Sequence, residues 1–196
     1  MNTKSITLII TFASVAIVFN AVRIPSVFDP GASYQFSQIP IIVALLLFGA
    51  RIGFLVGILN MAGGLLLFST GPSSIISYPM GLVSLLVMFV GLYAGRRFIT
   101  NSGKSRRTAI ILTFFTVVVR GCLMAFVDYA VLYHVLVPLV LGVNPPEAFI
   151  IGLVPAFILY NLTVPLYTIP FAYIVATKAG NHLKIEPLFL RTVRES

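Results

Sequence analysis

Long apolar runs separated by short polar or proline-rich breaks organise this chain. The first run, Ser5 to Val22, carries no charge and predicts a helix about 27 Å long. A secretory leader is the alternative reading, but the run is long for one and no small-x-small cleavage site follows. Arg23 to Gln38 reads as a loop rich in Pro, Gly, Ser and aromatics, after which Ser37 or Gln38 with Pro40 marks a helix start. Ile39 to Ala50 is short for an upright span, and Ile52 to Phe68 follows it after Arg51 alone. The two predict a helical hairpin turning at Gly49-Ala50-Arg51, with its first arm extended by the polar start. One long bent helix is the alternative.

Thr70-Gly-Pro-Ser-Ser predicts a turn, and Ile75 to Gly95 a fourth span. A basic loop, Arg96 to Arg107, leads into a fifth span from Thr108 to about Val137. The loop Leu141 to Glu147 then precedes a sixth span, Ala148 to Ala176, which Pro155, Pro165 and Pro170 interrupt. Those prolines should kink it and free carbonyls that need partners inside the protein. The pattern predicts an all-α membrane protein, a single domain over 1–196 with six transmembrane helices at about 5–22, 37–50, 52–68, 75–95, 108–137 and 148–176.

Composition removes the soluble alternative. Of 196 residues, 59% are hydrophobic and 9% charged, and the mean hydropathy is +1.05. A soluble domain of this size has too little polar surface to cover such a core. The apolar runs are unbroken, whereas barrel strands alternate in segments of about ten residues. One cysteine, Cys122, excludes a disulfide scaffold and reads as a small hydrophobe within its run.

The net charge of +8 raises the question of nucleic acid, but the basic residues form no long stripe interleaved with aromatics. They follow the membrane instead. With the N-terminus in the cytoplasm, the inside segments hold Lys4, Arg51, Arg96, Arg97, Lys104, Arg106, Arg107, Lys178, Lys184, Arg191 and Arg194. Only Arg23 falls outside, and Arg120 is embedded. This asymmetry predicts both termini in the cytoplasm and a multi-pass protein of the cell (plasma or inner) membrane.

Ionisable residues within spans are the sharpest chemical signal. Arg120 lies about 18 Å into the fifth span, and Asp128 is about 12 Å further on and turned by roughly 80°. On a straight helix they cannot pair directly, so each needs another partner or a wet cavity. Asp128 reads equally as a ligand contact or as a partner in interhelical hydrogen bonds, whereas Arg120 reads first as structural or coupling. Asn60 and Asn161 pose the same choice between interhelical glue and pocket lining. Tyr78, Tyr129, Tyr160 and Tyr167 offer stacking faces with a polar tip. The long, aromatic, nearly uncharged first outer loop reads equally as a lid over the bundle mouth or as an interfacial anchor.

Enzyme constellations are missing from the sequence. It has no H-E-x-x-H, no paired Cys/His set, no Walker lysine loop and no G-x-S-x-G. His134 and His182 fall on opposite sides of the membrane. Of five acidic residues, Asp128 is the one placed within a span, so two-carboxylate chemistry has no material. The expectation is a protein without catalysis, metal or cofactor.

Six short helices, a lid-like first loop and a basic cytoplasmic loop resemble the substrate-binding S component of energy-coupling factor (ECF) transporters. Several stretches are similar to the riboflavin-specific type. Ser37-Gln38-Ile39-Pro40 resembles its Ser-x-Ile-Pro start to the second helix. Phe48-Gly49-Ala50-Arg51-Ile52-Gly53 with downstream Asn60 resembles its Phe-Gly-Pro-x-x-Gly turn and asparagine, with Ala50 in place of proline. Met124-Ala125-Phe126-Val127-Asp128-Tyr129 resembles Met-Thr-Leu-x-Asn-Tyr, with Asp128 in place of asparagine. Tyr160-Asn161-Leu162 resembles Phe-Asn-Leu, but Thr163 and Val164 stand where a lysine normally follows.

The resemblance implies capture of a small vitamin-like substrate from outside, with a membrane coupling protein and two ATPase subunits as partners. Together with the residues themselves it implies a substrate-binding set of Gln35, Ser37, Asn60, Tyr78, Asp128, Tyr129 and Asn161, closed over by the first loop and the turns near Ser73 and Asn144. Small residues on the first helix, Ala13, Ser14 and Ala16, would contact the coupling partner. The departures at Asp128 and Thr163 fall at polar positions, so a vitamin or precursor other than riboflavin is a natural consequence. Two other readings stay open: a six-helix membrane scaffold or assembly protein, and a stand-alone facilitator.

Overall fold

The computed structural model describes residues 3–28, 32–99, 106–185 and Phe189. Lys104, Arg191 and Arg194, which entered the charge pattern, lie outside the described residues, as does the Pro30-Gly31 tip of the first loop.

Among the described residues, six helices make up the body. They are α1 (Thr3–Phe19), α2 (Gln38–Phe48), α3 (Ala50–Phe68), α4 (Pro72–Arg96), α5 (Arg106–Leu141) and α6 (Glu147–Leu183). A short antiparallel ribbon, β1 (Arg23–Pro25) against β2 (Ser33–Gln35), joins α1 to α2 with Ile24 opposite Tyr34. By length and apolar composition α3, α4, α5 and α6 can each cross a membrane. Large apolar side chains such as Leu66, Leu67, Phe126 and Leu139 are exposed on the bundle's periphery, the faces that hydrocarbon would cover.

The expected hairpin is present, not the single bent helix. Gly49 has φ of 91°, a left-handed value that a side chain disfavours, and it separates α2 from α3 in one residue. Close approach continues beyond the turn: a Cβ on Gly53 would lie 2.7 Å from the Leu45 Cβ.

The second span differs from expectation. α2 has 11 residues, about 16 Å, and starts at Gln38, with Ser37 as its N-cap after the turn that leaves the β ribbon. Pro40 through Leu47 are all buried, so α2 is a half-length helix enclosed by its neighbours. It leaves the other half of the bundle's interior to be filled by something else.

Three further boundaries shift. α4 begins at Pro72, within the expected turn, because proline suits the first helical position, where no N–H is needed. α5 continues to Leu141, but from Asp128 to Leu136 it widens into a π-helix. α6 is one helix of 37 residues, and its three prolines do not end it. Each proline removes one backbone hydrogen bond while the flanking turns keep theirs. The helix also continues past Ala176 to Leu183, where Lys184 adopts a left-handed cap.

Around the bundle α1 packs on α2 and α3, α3 on α4, α4 on α5, α5 on α6, and α6 on α2. Alternating helix directions place Lys4, Arg51, Arg96, Arg97, Arg106, Arg107, Lys178 and Lys184 at the end away from the ribbon, and Arg23 at the ribbon end.

Candidate functional site

The half left open by α2 is a cavity of about 400 Å³ beneath the ribbon. Gln38, the first residue of α2, and the midsections of α4, α5 and α6 supply its lower lining. Its deepest group is Arg120, 1% exposed. The guanidinium Nε donates to Asn161 Oδ1 at 3.2 Å, and one terminal nitrogen donates to Gln38 Oε1 at 3.1 Å and touches the Met88 sulfur. Asn161 Nδ2 in turn donates to Asp128 Oδ2 at 2.9 Å and to the Phe157 carbonyl at 3.0 Å. Arg120 and Asp128 are thus joined through an amide from α6.

The π segment decides which residues of α5 meet the cavity. Its hydrogen bonds span five residues instead of four, so Asp128, Leu132, Tyr133 and Val137 all line the cavity. Tyr129 does not. Adjacent residues on a helix point in different directions, and the Tyr129 hydroxyl donates to Glu147 Oε1. There it joins a cluster at the α5–α6 corner: His134 Nδ1 lies 2.7 Å from the Tyr129 carbonyl, and His134 Nε2 lies 3.1 Å from Glu147 Oε2. Asp128 and Tyr129, both expected in the substrate-binding set, are thus placed apart, one at the cavity and one at the α5–α6 corner. Tyr129→Phe should leave ligand affinity unchanged, which calorimetry on the purified protein would check; a clear loss would place the tyrosine back in the site.

Above the cavity the ribbon is tied on both sides. Tyr160 donates to the Ser33 carbonyl at 2.9 Å, Tyr167 to the Gln35 carbonyl at 3.3 Å, and the Tyr34 hydroxyl lies 3.0 Å from Thr163 Oγ1. Tyr34 also packs its ring against those of Tyr160 and Tyr167. On the other side Arg23 donates to the Tyr78 hydroxyl and sits over the Tyr78 ring, 5.6 Å from its centroid. The ribbon portion of the first loop lies as a cover over the cavity, with Arg23, Ser33 and Gln35 in its lining, while Val27 and Phe28 beside it are exposed as an interfacial anchor's would be. Thr163, at a position where the family resemblance leads one to expect lysine, holds that cover.

Of the expected substrate-binding residues, Gln35, Tyr78, Asp128 and Asn161 line the cavity. Ser37 and Asn60 do not. They line a water-sized hollow of about 20 Å³ beside it that shares Gln35, Gln38 and Tyr78. Asn60 is interhelical glue there, accepting from Asn20 Nδ2 at 2.9 Å. Ser73 is at the cavity, whereas Asn144 is not among its lining residues.

The expected docking strip on α1 is also split. Ala13 and Ala16 are buried in the bundle's own core, and Ser14 is exposed. Residues three apart share a helix face while the next residue does not, so these three cannot form one strip.

Sequence reasoning missed Gln38, Ser84 and Tyr133 as lining residues, and gave Arg23 no role. Only for Arg23 does the sequence hold a signal, as the one basic residue that the charge pattern leaves on that side.

No protein-family model matches the sequence, and no curated protein matches it. Among solved structures the chain is similar to one described as the S component of a bacterial ECF transporter. The two superpose with a TM-score of 0.67 at 19% identity, over 94% of this chain and 99% of that one. At that identity the likeness is one of fold.

Proposed function

We propose that this chain is the substrate-capture (S) component of an ECF-type uptake transporter, taking riboflavin or another small water-soluble vitamin or precursor. The observation that carries this reading is the covered cavity beneath the ribbon, in a fold shared over nearly the whole chain with an S component. The basic end of the bundle would lie in the cytoplasm. Both termini would be there, and the ribbon and cavity would face outward in the cell membrane. The whole of 1–196 would act as one transmembrane domain. Substrate would enter by release of the ribbon from Tyr78, and inward release would need the bundle to topple or rearrange. The chain has no phosphate loop in its sequence, so ATP hydrolysis belongs to two ATPase partners, reached through a membrane coupling protein. Ser14, on the exposed face of α1, is the part of the expected docking strip available for that contact.

Native mass spectrometry of the detergent-purified protein, followed by identification of any released molecule, tests the proposal. A stoichiometric metabolite supports capture. An empty protein that a vitamin panel does not stabilise favours the scaffold reading, and uptake that persists without ATPase partners favours the facilitator. Asp128→Asn and Asn161→Ala should each weaken binding by about tenfold or more, since each removes a charged or amide group at a buried polar site. Unchanged affinity in both would take them out of the site.

A further inference from the structure

The charges around the cavity bear on the kind of molecule it takes, and a ligand class assigned from them rests on the reading that the cavity binds a substrate. Among the described residues its charged lining consists of Arg23, Arg120 and Asp128. At the base, Arg120 and Asp128 share Asn161 and offset one another. At the rim, the hydrogen bonds of Arg23 go to the Asn20 carbonyl and the Tyr78 hydroxyl, both neutral. The described lining is thus positive, with its surplus over the Arg120–Asp128 set at Arg23.

The same rim carries the N-terminus of α4. Thr70, Ser73, Ser74 and Ser77 line the cavity there, and the helix has no side-chain N-cap bond. The partial positive charge of a helix N-terminus adds to that of Arg23.

A second observation lies deeper. Ser84 is 5% exposed and lines the cavity, and its hydroxyl has no hydrogen-bond partner. A buried hydroxyl without a partner is costly, and a change of χ1 rotamer that turns it to the cavity its residue lines would let a ligand supply the partner. Ser84 is six residues beyond Tyr78 on α4, so it lies about 9 Å deeper than the rim. Four tyrosines, Tyr78, Tyr133, Tyr160 and Tyr167, are among the lining residues.

The geometry points to an organic anion as the ligand: a planar compound about 9 Å long whose carboxylate or phosphate meets Arg23 at the rim and whose far end hydrogen-bonds Ser84. Its ring system lies between the tyrosines. Arg23 then has two tasks, holding the ribbon to Tyr78 and recognising the anion.

The test uses the purified full chain in detergent. Any retained molecule is identified by mass spectrometry, and affinities are measured for ring-matched probes: riboflavin with riboflavin 5′-phosphate, nicotinamide with nicotinate, and pyridoxine with pyridoxine 5′-phosphate and 4-pyridoxate. The carboxylate and phosphate members separate the two kinds of anion. The expected result is a retained anion, or tighter binding of an anionic member than of its neutral partner. Arg23→Gln should lower that affinity about 10- to 100-fold, and Ser84→Ala by about tenfold or less. Arg23→Lys should recover part of the loss. Tyr78→Phe removes the tie to the ribbon but keeps the charge, so the preference for the anion should survive it. A neutral or cationic molecule bound equally well by Arg23→Gln overturns the anion assignment and leaves capture standing. A protein that retains nothing and binds no probe overturns both.

Discussion

Arg120→Met should destabilise the protein by about 3–5 kcal/mol, the range for removing one member of a buried charged network and leaving the others uncompensated. The guanidinium is buried and donates to groups from two other helices, Gln38 on α2 and Asn161 on α6, and through Asn161 it offsets Asp128. Methionine supplies comparable bulk but no donor. It leaves the Gln38 and Asn161 oxygens unpaired and Asp128 without a counter-charge. Unfolding in mixed micelles, followed by circular dichroism, measures the loss. Arg120→Met combined with Asp128→Leu should recover a large share of it, because replacing both members of a buried pair by apolar groups is far cheaper than removing one. A single variant within about 1 kcal/mol of the parent, in the range of an exposed ion pair, would mean that water already solvates this network.

Gly91→Leu should separate α4 from α5. A Cβ at Gly91 would lie 2.6 Å from the Thr116 Cα, and one at Gly95 would lie 3.3 Å from the Leu112 Cα. These are backbone atoms that cannot turn aside, so the helices themselves must move apart. The Gly91-x-x-x-Gly95 spacing is the small-residue pattern that allows two helices to touch in hydrocarbon. Overpacking of this kind costs about 1–3 kcal/mol, and because Arg120 and Asp128 ride on α5, ligand retention should fall with stability. Gly152→Ala is the matched control. Nothing lies within 4 Å of a Cβ at that position, and alanine's better helix propensity should leave stability unchanged or raise it by up to about 1 kcal/mol. Equal behaviour of the two variants would show that the α4–α5 contact tolerates a side chain at Gly91.

The six helices were legible because each needs a long apolar run, and the breaks between them carry residues that stop helices. Gly49 is an example: the turn it makes was readable from the shortness of the run before it. The alternation of basic residues was legible for the same reason, since it follows from chain direction once the runs are counted. Asp128 and Asn161 stood out because a charge or amide is costly in hydrocarbon wherever it points.

Direction was what the sequence could not supply. Asp128 and Tyr129 are neighbours in sequence, yet one lines the cavity and the other bonds Glu147 at the corner of the bundle. The π segment that begins at Asp128 has no signature in the sequence, and it packs against both α4 and α6. Ser84 and Gln38 are ordinary polar residues at the edges of apolar runs, and what makes them part of a site is the half-length of α2, which leaves the space they face. By itself the sequence determined the solvent, the number of helices and the end that carries the positive charge, because these depend on composition and order along one chain. Only the tertiary structure decided that Arg23, Ser84, Arg120, Asp128 and Asn161 surround one cavity, because that depends on the rotation and depth at which separate helices pack.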